Sequence, residues 1–399
     1  MKRRWMAATA LASASLAVAA GCGGGSSSGG GSGGNLPPGE TMPAGGNGVP
    51  MRTKIGKPEG QLNLIAWQGY TEPDVVKPFE AQTGCNVHVT YGQTSDQMVT
   101  LMLSGNFDGV SASGDATNRL ISGQAVAPID TKLIPDFGDI SPKLQSPPHN
   151  TVNGVHYGVS YEWGGNVLMY NTKVVKPAPT SWSVVFDGTS YAGKTTAYDS
   201  PIYIADAALY LKSAQPSLGI TDPYELTQPQ FDAAVALLKK QHAQIGDYWS
   251  SFNTEIQDFK TGNIVIGQAW PYQVNALKLD KQPVDAVVPK EGMTGWADTW
   301  MMYAKAKHPN CMLKWMQYAT TPVVQGKTAY TFGSAPANPK ACTYLDNVQA
   351  NYCADYHVTD PSYFANIYYW KTPQADCGNG KTGCVSYTQW TTAWTDIKG

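Results

Sequence analysis

The fold is decided by the stretch "LNLIAWQGYTEPDVVKPFEAQTGCNVHVTYGQTSDQMVTLMLSGNFDGVSAS", residues 62–113. Its apolar residues change period repeatedly, from the spacing typical of short strands to the spacing typical of amphipathic helices. Each helical segment ends at a glycine, which is a common helix stop signal. The pattern predicts strands at 62–67, 86–92 and 107–113 and helices at 72–84 and 94–105. Strands that alternate with helices at this spacing indicate a parallel sheet covered by helices.

The rest of the chain continues the alternation without an internal repeat. A clear amphipathic helix is predicted at 229–246, and a buried strand follows at 264–270. The chain has 399 residues, which is enough for two domains. The sequence therefore predicts an α/β protein of two parts.

Composition excludes several classes of partner. Hydrophobic residues make up 42% of the chain and charged residues 15%, as in a globular protein with a large core. The formal net charge of -2 leaves no basic footprint for nucleic acid or for an anionic membrane surface. We therefore expect neither nucleic acid nor an anionic membrane surface as a partner of the folded body.

The first residues predict export. Residues 1–21 combine a basic start, a short apolar run and small residues, as a signal peptide does. The "AAGC" that ends at Cys22 resembles the lipobox of bacterial lipoproteins, in which the cysteine is lipidated, although Ala19 stands where leucine is usual. Cleavage after "AVA", residues 17–19, is the alternative. The Gly/Ser- and Pro-rich tract 22–57 is predicted to be a flexible linker.

The cysteines predict disulfide bonds, as expected outside the cytoplasm. Without Cys22, six cysteines remain, and sequence alone allows 15 pairings. Local spacing favours Cys377 with Cys384 and then Cys342 with Cys353, which leaves Cys85 for Cys311. A metal site is not expected, because there is no C-x-x-C pair and the histidines are scattered.

A carboxylate between tryptophans is the first candidate for a binding site. In "TGWADTWMM", residues 294–302, Asp298 alternates with Trp296 and Trp300. Residues two apart in a strand face the same side, so an anion would lie between aromatic walls, which suits an amine ligand. The alternative is an ordinary strand with two core tryptophans and a surface aspartate.

The order of several motifs resembles that of the spermidine/putrescine-binding proteins, the extracytoplasmic solute-binding components of ABC importers. The motifs are "IAWQGY" at 65–70, "YGVSYEWGGNVLMYN" at 157–171, "TSWSVVFD" at 180–187, "TGNIVIGQAW" at 261–270, "VVPKEGMTGWADTW" at 287–300 and "FGSAPANP" at 332–339. The resemblance covers residues 61–371, and the C-terminal tail with its cysteines matches poorly. It implies a type II periplasmic-binding-protein fold of two lobes, each a mostly parallel sheet flanked by helices, with the ligand cleft between them.

The resemblance also implies lobe boundaries and site residues. Lobe 1 would comprise 58–157 and 298–336, and lobe 2 would comprise 158–297 and 337–399. The cleft would lie at the carboxyl ends of strands. Carried over by position, its residues are Trp67, Tyr70, Ser113, Asp115, Ser200, Tyr203, Trp270, Trp296, Asp298, Ser334 and Lys371. Asp298 would hold an ammonium group while Trp270 and Trp296 cover the aliphatic part of the ligand, and Trp300 would belong to the core.

Departures from the family pattern bear on the ligand. Ser200 and Tyr203 stand where polyamine binders have acidic residues, and Asp115 stands where an aromatic residue is common. A shift of one residue would bring Asp199 into the cleft. Lys371 would repel a cation. We therefore expect a solute with one or two positive charges, and with room for a carboxylate, rather than spermidine itself.

The implied function is capture of a small amine-bearing solute by hinge closure and delivery to an ABC permease. The protein would be a monomer without cofactor or catalytic activity, located in the cell envelope, either anchored through Cys22 to the outer face of the cytoplasmic membrane or in the periplasm. Three alternatives stay open. A hydrolase could use Glu162, Asp199 and Asp298, ferric ion could bind Tyr368 and Tyr369, and a sugar could stack on the tryptophans.

Overall fold

The computed structural model describes residues 36–377 and 383–399. The predicted signal peptide, Cys22 and the start of the predicted linker lie outside these residues. The strands are β1 Glu40–Thr41, β2 Met51–Arg52, β3 Gln61–Ala66, β4 Asn86–Tyr91, β5 Gly109–Ala112, β6 Thr151–Val152, β7 Val155–His156, β8 Val159–Gly165, β9 Val167–Asn171, β10 Thr195–Tyr198, β11 Ile245–Trp249, β12 Ile266–Ala269, β13 Val284–Val287, β14 Met293–Met302, β15 Ala335–Pro336 and β16 Ile367–Tyr369.

Helices separate most of these strands. They are α1 Pro73–Thr83, α2 Ser95–Leu103, α3 Gly114–Ser122, α4 Pro142–Gln145, α5 Ser183–Phe186, α6 Ile204–Ala214, α7 Gln228–His242, α8 Phe252–Thr261, α9 Pro271–Leu279, α10 Pro309–Ala319, α11 Pro322–Phe332, α12 Cys342–Val348, α13 Tyr352–Asp355, α14 Pro361–Ala365 and α15 Tyr387–Lys398. Within the described ranges, none of them combines the length and hydropathy needed to cross a bilayer.

The strand and helix pattern at the start of the body is confirmed. β3 pairs in parallel with both β4 and β5, and α1 and α2 connect them. Local signals explain the helix ends. Thr94 caps α2 by accepting a hydrogen bond from the Gln97 amide, and α1 ends at Gly84 in the left-handed conformation with φ 71°. These strands belong to a seven-stranded sheet of order β15-β8-β14-β5-β3-β4, with β16 beside β14.

A second sheet of five strands has the order β11-β10-β12-β9-β13. The two-lobed α/β fold is confirmed, and both sheets are mixed. β10 pairs in parallel with β11 and β12, whereas β9 runs antiparallel to β12 and β13. In the seven-stranded sheet, β14 runs antiparallel to β5 and β8. Most antiparallel pairs involve β8, β9 or β14, the strands at which the chain passes from one sheet to the other.

The chain crosses between the sheets at two adjacent points. Only Asn166 separates β8 in the first sheet from β9 in the second, and the chain returns through β14. The Asn166 amide donates to the Thr294 carbonyl, at 2.8 Å. The lobe boundaries expected at 157/158 and 297/298 therefore differ from the boundaries between the two sheets. β8 and β16 were assigned to lobe 2, but both pair with β14 in the seven-stranded sheet. Pairing between distant strands decides sheet membership, and a local pattern does not show it.

The predicted end of the flexible linker also needs correction. β1 pairs with β2, and the Asn47 side chain donates hydrogen bonds to the carbonyls of Ile121 and Val126. Val49 is buried. Pro37–Gly399 accordingly forms one unit by internal contacts. The turn-forming residues between 36 and 57 build an ordered loop because their polar groups find partners on the body.

All three predicted disulfides are confirmed. They join Cys85 to Cys311, Cys342 to Cys353 and Cys377 to Cys384. The first links the start of β4 to α10, across 226 residues of sequence. The other two close short loops of 11 and 7 residues.

Candidate functional site

Asp298 occupies an irregular position in β14. The register of β14 against β8 shifts between Ala297 and Thr299, so the ladder bulges at Asp298. Trp296 and Asp298 line the same cavity. Trp300 instead lies in the core, where its ring packs 5.4 Å from the Trp315 ring, as expected from the sequence.

Two hydroxyl groups hold the Asp298 carboxylate. Tyr70 Oη donates to Asp298 Oδ2 at 2.6 Å, and Ser113 Oγ donates to Oδ1 at 2.5 Å. Tyr70 follows β3 and Ser113 follows β5, so both stand at carboxyl ends of parallel strands, where α/β proteins place ligand sites. Burial raises the pKa of Asp298 to about 7, although both hydrogen bonds lower it. The carboxyl group therefore changes its charge near neutral pH.

Aromatic rings enclose this carboxylate. We call the cavity the Asp298 cage; it is lined by Trp67, Ser113, Trp270, Trp296, Asp298, Phe332 and Trp370. The Trp270 ring lies 6.1 Å from the Trp67 ring and 6.5 Å from the Trp296 ring. The free space is about 10 Å³, close to the room that one water molecule needs. The cage is therefore closed around its own side chains, and a solute needs the walls to move apart.

Both sheets contribute to the cage. Trp270 follows β12 of the five-stranded sheet and is the N-cap residue of α9. Trp67 and Trp296 belong to the seven-stranded sheet, at the end of β3 and within β14. A ligand in the cage would therefore touch both lobes, as hinge closure requires.

Three aromatic residues in or beside the cage were not predicted from the sequence. Tyr198 ends β10 and stacks on Trp370 with ring centroids 5.7 Å apart. Its ring also lies 5.5 Å from that of Trp270. Trp370 directly follows β16, and Phe332 ends α11. Tyr198 and Trp370 could have been found by the rule that sites gather at strand ends.

Asp115 lies beside the cage at the start of α3. Ser95 Oγ donates to Asp115 Oδ1 at 2.8 Å, while Oδ2 is buried without a described partner. Burial raises the pKa of Asp115 to about 6, and the nearby Arg119 opposes that rise. Repulsion from Asp115 also raises the pKa of Asp298. The two carboxylates are thus close enough to influence each other, and one of them has a cation to offset its charge.

Ser334 contacts a different acid. Its Oγ donates to Glu162 Oε2 at 2.7 Å, and both side chains are buried. Burial raises the pKa of Glu162 well above its usual range. Burial raises the pKa of Tyr70, and the charges of Asp298 and Glu162 raise it further. Ser334 therefore supports the acidic group next to Tyr70 and does not line the cage itself.

Neither Ser200 nor Tyr203 lines the Asp298 cage. Ser200 caps the turn Pro201–Tyr203, and Tyr203 stacks on Phe186 and accepts a hydrogen bond from Gln241. The turn redirects the chain after β10. Tyr198 therefore contacts the cage rings Trp270 and Trp370, whereas Tyr203 packs against α7.

Lys371 also lies outside the cage and has anionic partners of its own. Its Nζ lies 2.8 Å from Asp222 Oδ2 and 2.5 Å from Glu225 Oε1. These ion pairs hold Lys371 in a separate groove that Tyr224 also lines. The expected repulsion of a cation by Lys371 is therefore offset by two carboxylates.

The residues proposed for other functions also have structural partners. Asp199 accepts hydrogen bonds from Trp394 and Lys398 on α15, away from the cage. Tyr368 Oη accepts a hydrogen bond from Lys212, and the Tyr369 ring packs against Trp163. Across residues 36–377 and 383–399, no group of three or more His, Cys, Asp or Glu side chains is arranged to hold a metal ion.

Two lobes joined by crossing strands, with a closed polar and aromatic site between them, define a two-lobed solute-binding protein. The model of the family described as "Bacterial extracellular solute-binding protein" matches residues 74–353, and the chain belongs to this family. The description is of binding and not of catalysis. The resemblance inferred from the motifs is confirmed.

Individual proteins agree with this assignment. The chain is 25% identical over 296 residues to the spermidine/putrescine-binding periplasmic protein of Escherichia coli (strain K12), covering 73% of this chain and 81% of the relative. A putative spermidine/putrescine ABC transporter structure from Listeria monocytogenes superposes with a TM-score of 0.72 at 17% identity, over 85% of this chain and 99% of the other. The structure of the PBP MotA from A. tumefaciens B6, in complex with glucopine, superposes with a TM-score of 0.68 at 16% sequence identity. The match covers 85% of this chain and 100% of the other.

Proposed function

We propose that this protein captures a small amine-bearing solute outside the cytoplasm by hinge closure and delivers it to the permease of an ABC importer. The observation that carries the proposal is Asp298, a carboxylate held by Tyr70 and Ser113 inside a cage of tryptophans. A cation over an aromatic face gains about 0.5 to 2 kcal/mol. A charge-assisted hydrogen bond to the carboxylate adds direction.

The charges around the cage support a ligand with low positive charge. Asp298 is the anion within the cage, and Arg119 partly offsets the charge of the neighbouring Asp115. Asp199, which could have supplied another anion, is paired with Lys398. A polyamine with three or more charges would leave buried cations without partners, at a cost of several kcal/mol.

Similar proteins support delivery to a permease. The relative from Escherichia coli is named for binding spermidine and putrescine, and the Listeria monocytogenes structure is titled as an ABC transporter component. We extend the importer role to this chain, acting as a monomer. We also propose that Cys22 is lipidated and anchors the protein at the outer face of the cytoplasmic membrane. Replacement of Cys22 by serine would then release the protein from the membrane fraction.

The binding role is tested by thermal unfolding of the purified full chain against amines, amino acids, betaines and sugars. A ligand at a hundred times its dissociation constant stabilises the folded state by about 2.7 kcal/mol, which shifts the melting temperature measurably. We expect stabilisation by compounds with an amine or quaternary ammonium group and none by neutral sugars. A shift with sugars alone would overturn the proposal.

A further inference from the structure

The polar groups of the Asp298 cage that lack partners are mainly hydrogen-bond donors. The indole nitrogens of Trp67, Trp296 and Trp370 are buried without a partner in the described structure, and all three side chains line the cage. The hydroxyl of Tyr198, which stacks on Trp370, is also buried without a partner. A buried donor that stays unpaired costs about 1–3 kcal/mol, so three donors on residues that line one cavity and a fourth beside it indicate an absent acceptor.

Unpaired indoles also occur elsewhere in the molecule. Trp300 and Trp315 pack in the core with indole nitrogens that lack partners. A single unpaired indole therefore does not indicate a ligand. The cage differs because its donors gather around one space that also contains a carboxylate already bound by two hydroxyls.

We propose that the solute is an amino carboxylate, with its cationic group on Asp298 and its carboxylate on the indole and phenol donors of Trp67, Trp296, Trp370 and Tyr198. This inference rests on the proposed binding function and specifies its ligand class. A diamine has only donors at both ends when it is charged, so it cannot satisfy an N–H group. A carboxylate offers about four acceptor positions, which matches the number of unpaired donors.

The charge count agrees with this assignment. No lysine or arginine lines the cage, so an anion without its own cation would be buried unpaired. One ammonium group balances Asp298, and the carboxylate of the same solute receives neutral donors. Among the lining residues a second ammonium group would meet unpaired donors, and the unpaired oxygen beside the cage, Asp115 Oδ2, belongs to a carboxylate whose charge Arg119 already offsets.

The test compares two ligand series of equal length by titration calorimetry on the full chain. One series runs from glycine to 6-aminohexanoate, and the other consists of the α,ω-diamines with two to six carbons. We expect the tightest amino carboxylate to bind at least tenfold more tightly than the tightest diamine. If the tightest diamine binds equally well or better, this inference is overturned while the amine-binding function stands. If neither series binds but another amine stabilises the protein, this inference is overturned and the amine-binding function stands; if no amine binds, both proposals fail.

Variants that remove one hydrogen-bond donor from the cage test where the carboxylate of the solute binds. Trp296→Phe, Trp370→Phe and Tyr198→Phe keep an aromatic ring and remove the N–H or O–H group. We expect each to weaken the amino carboxylate at least about fivefold more than it weakens the tightest diamine, because the smaller ring lowers both affinities but the lost donor acts on the carboxylate alone. Trp300→Phe, which alters an unpaired indole in the core, is the matched control and should change neither. Equal losses for both series in the cage variants would contradict the assignment.

Discussion

The side-chain amide of Asn166 donates a hydrogen bond to Thr294 Oγ1 at 2.6 Å, at the place where both linking strands pass between the sheets. Thr294 Oγ1 donates in turn to Asp206 Oδ1 at 2.7 Å, and Gln268 donates to the same oxygen at 2.6 Å. All four side chains are buried. The network, which we call the polar joint, ties the crossing strands to α6 and to β12 of the five-stranded sheet.

Replacement of Thr294 by valine should destabilise the protein through this joint. The valine keeps the shape but removes the acceptor of the Asn166 amide, and it leaves the Asp206 carboxyl with the Gln268 amide as its remaining side-chain donor. Buried groups left unpaired cost about 1–3 kcal/mol each, so we expect a loss of at least 1 kcal/mol in the free energy of unfolding, measured in urea. Thr254→Val, at an exposed position of α8, should change it by less than about 0.5 kcal/mol. Equal effects of the two substitutions would argue against the network.

The ligand-free protein should lose stability as the pH rises from about 4 to 7. Burial raises the pKa values of Glu162 and Glu255 well above the usual range, and it raises those of three further carboxyl groups, to about 6 for Asp115 and about 7 for Asp206 and Asp298. At pH values between 3.8, the ordinary pKa of aspartate, and these raised values, the carboxyl groups are protonated in the folded state and ionised in the unfolded state. A tenfold difference in proton affinity between the two states corresponds to about 1.4 kcal/mol of stability. The contribution of the three carboxyl groups is complete below pH 4 and is lost as the pH rises through their folded-state pKa values.

One buried group acts in the opposite direction. Burial lowers the pKa of His149 to about 4, so its effect is to raise stability between about pH 4 and 6.5. One histidine is outweighed by the raised carboxyl groups, and a lower melting temperature at pH 7.5 than at pH 5 is the expected result. Asp206→Asn should reduce the difference. A melting temperature that increases over this interval would show that the buried carboxyl groups are ionised in the folded protein.

Binding of an amine should show the reverse dependence on pH. A cation binds the ionised form of Asp298, whose pKa is about 7 in the closed, ligand-free cage. Below that pH one proton must leave for each ligand bound, so affinity should fall by up to about tenfold per pH unit. Calorimetry between pH 5.5 and 8.5 in buffers of different ionisation enthalpy measures both the affinity and the proton released. A pH-independent affinity would place the cation elsewhere.

The disulfides should contribute unequally to stability. In the chain-entropy model, a cross-link across 226 residues contributes about 5 kcal/mol and one across 7 residues about 2 kcal/mol. The double variant Cys85→Ser/Cys311→Ser should therefore lose more free energy of unfolding than Cys377→Ser/Cys384→Ser. Chemical denaturation of the two variants and the parent protein compares them. Equal losses would indicate that native packing, and not chain entropy, determines the contribution.

Local patterns predicted the fold and part of the site. The alternation in 62–113 is a property of neighbouring residues, and it places Ser113 correctly at the end of β5. The alternation of side chains along a strand likewise predicted that Trp296 and Asp298 lie on one face of β14. Periodicity was sufficient here because each inference depends on residues two to four positions apart.

The remaining cage residues depend on long-range geometry. Lys371 was expected in the site, but the adjacent Trp370 lines it, because a change of one residue turns a side chain to the other side of an extended chain. Tyr203 was expected in place of Tyr198 because the turn after β10 was not recognised. The sheet membership of β8 was also beyond local patterns, since it depends on pairing with β14, more than a hundred residues away.

The central claim is that Asp298 holds the cationic group of the solute, and Asp298→Asn tests it most directly. Asparagine keeps the shape and removes the charge; its oxygen can accept from one of the two hydroxyls, and the other hydroxyl must turn to accept from its NH2 group. We expect amine affinity, measured by calorimetry at pH 8, to fall by at least thirtyfold, while the ligand-free variant stays folded. Asp285→Asn, a half-exposed acid on β13 paired with Lys278, should bind like the parent protein. Unchanged amine affinity in a folded Asp298→Asn variant would contradict the account.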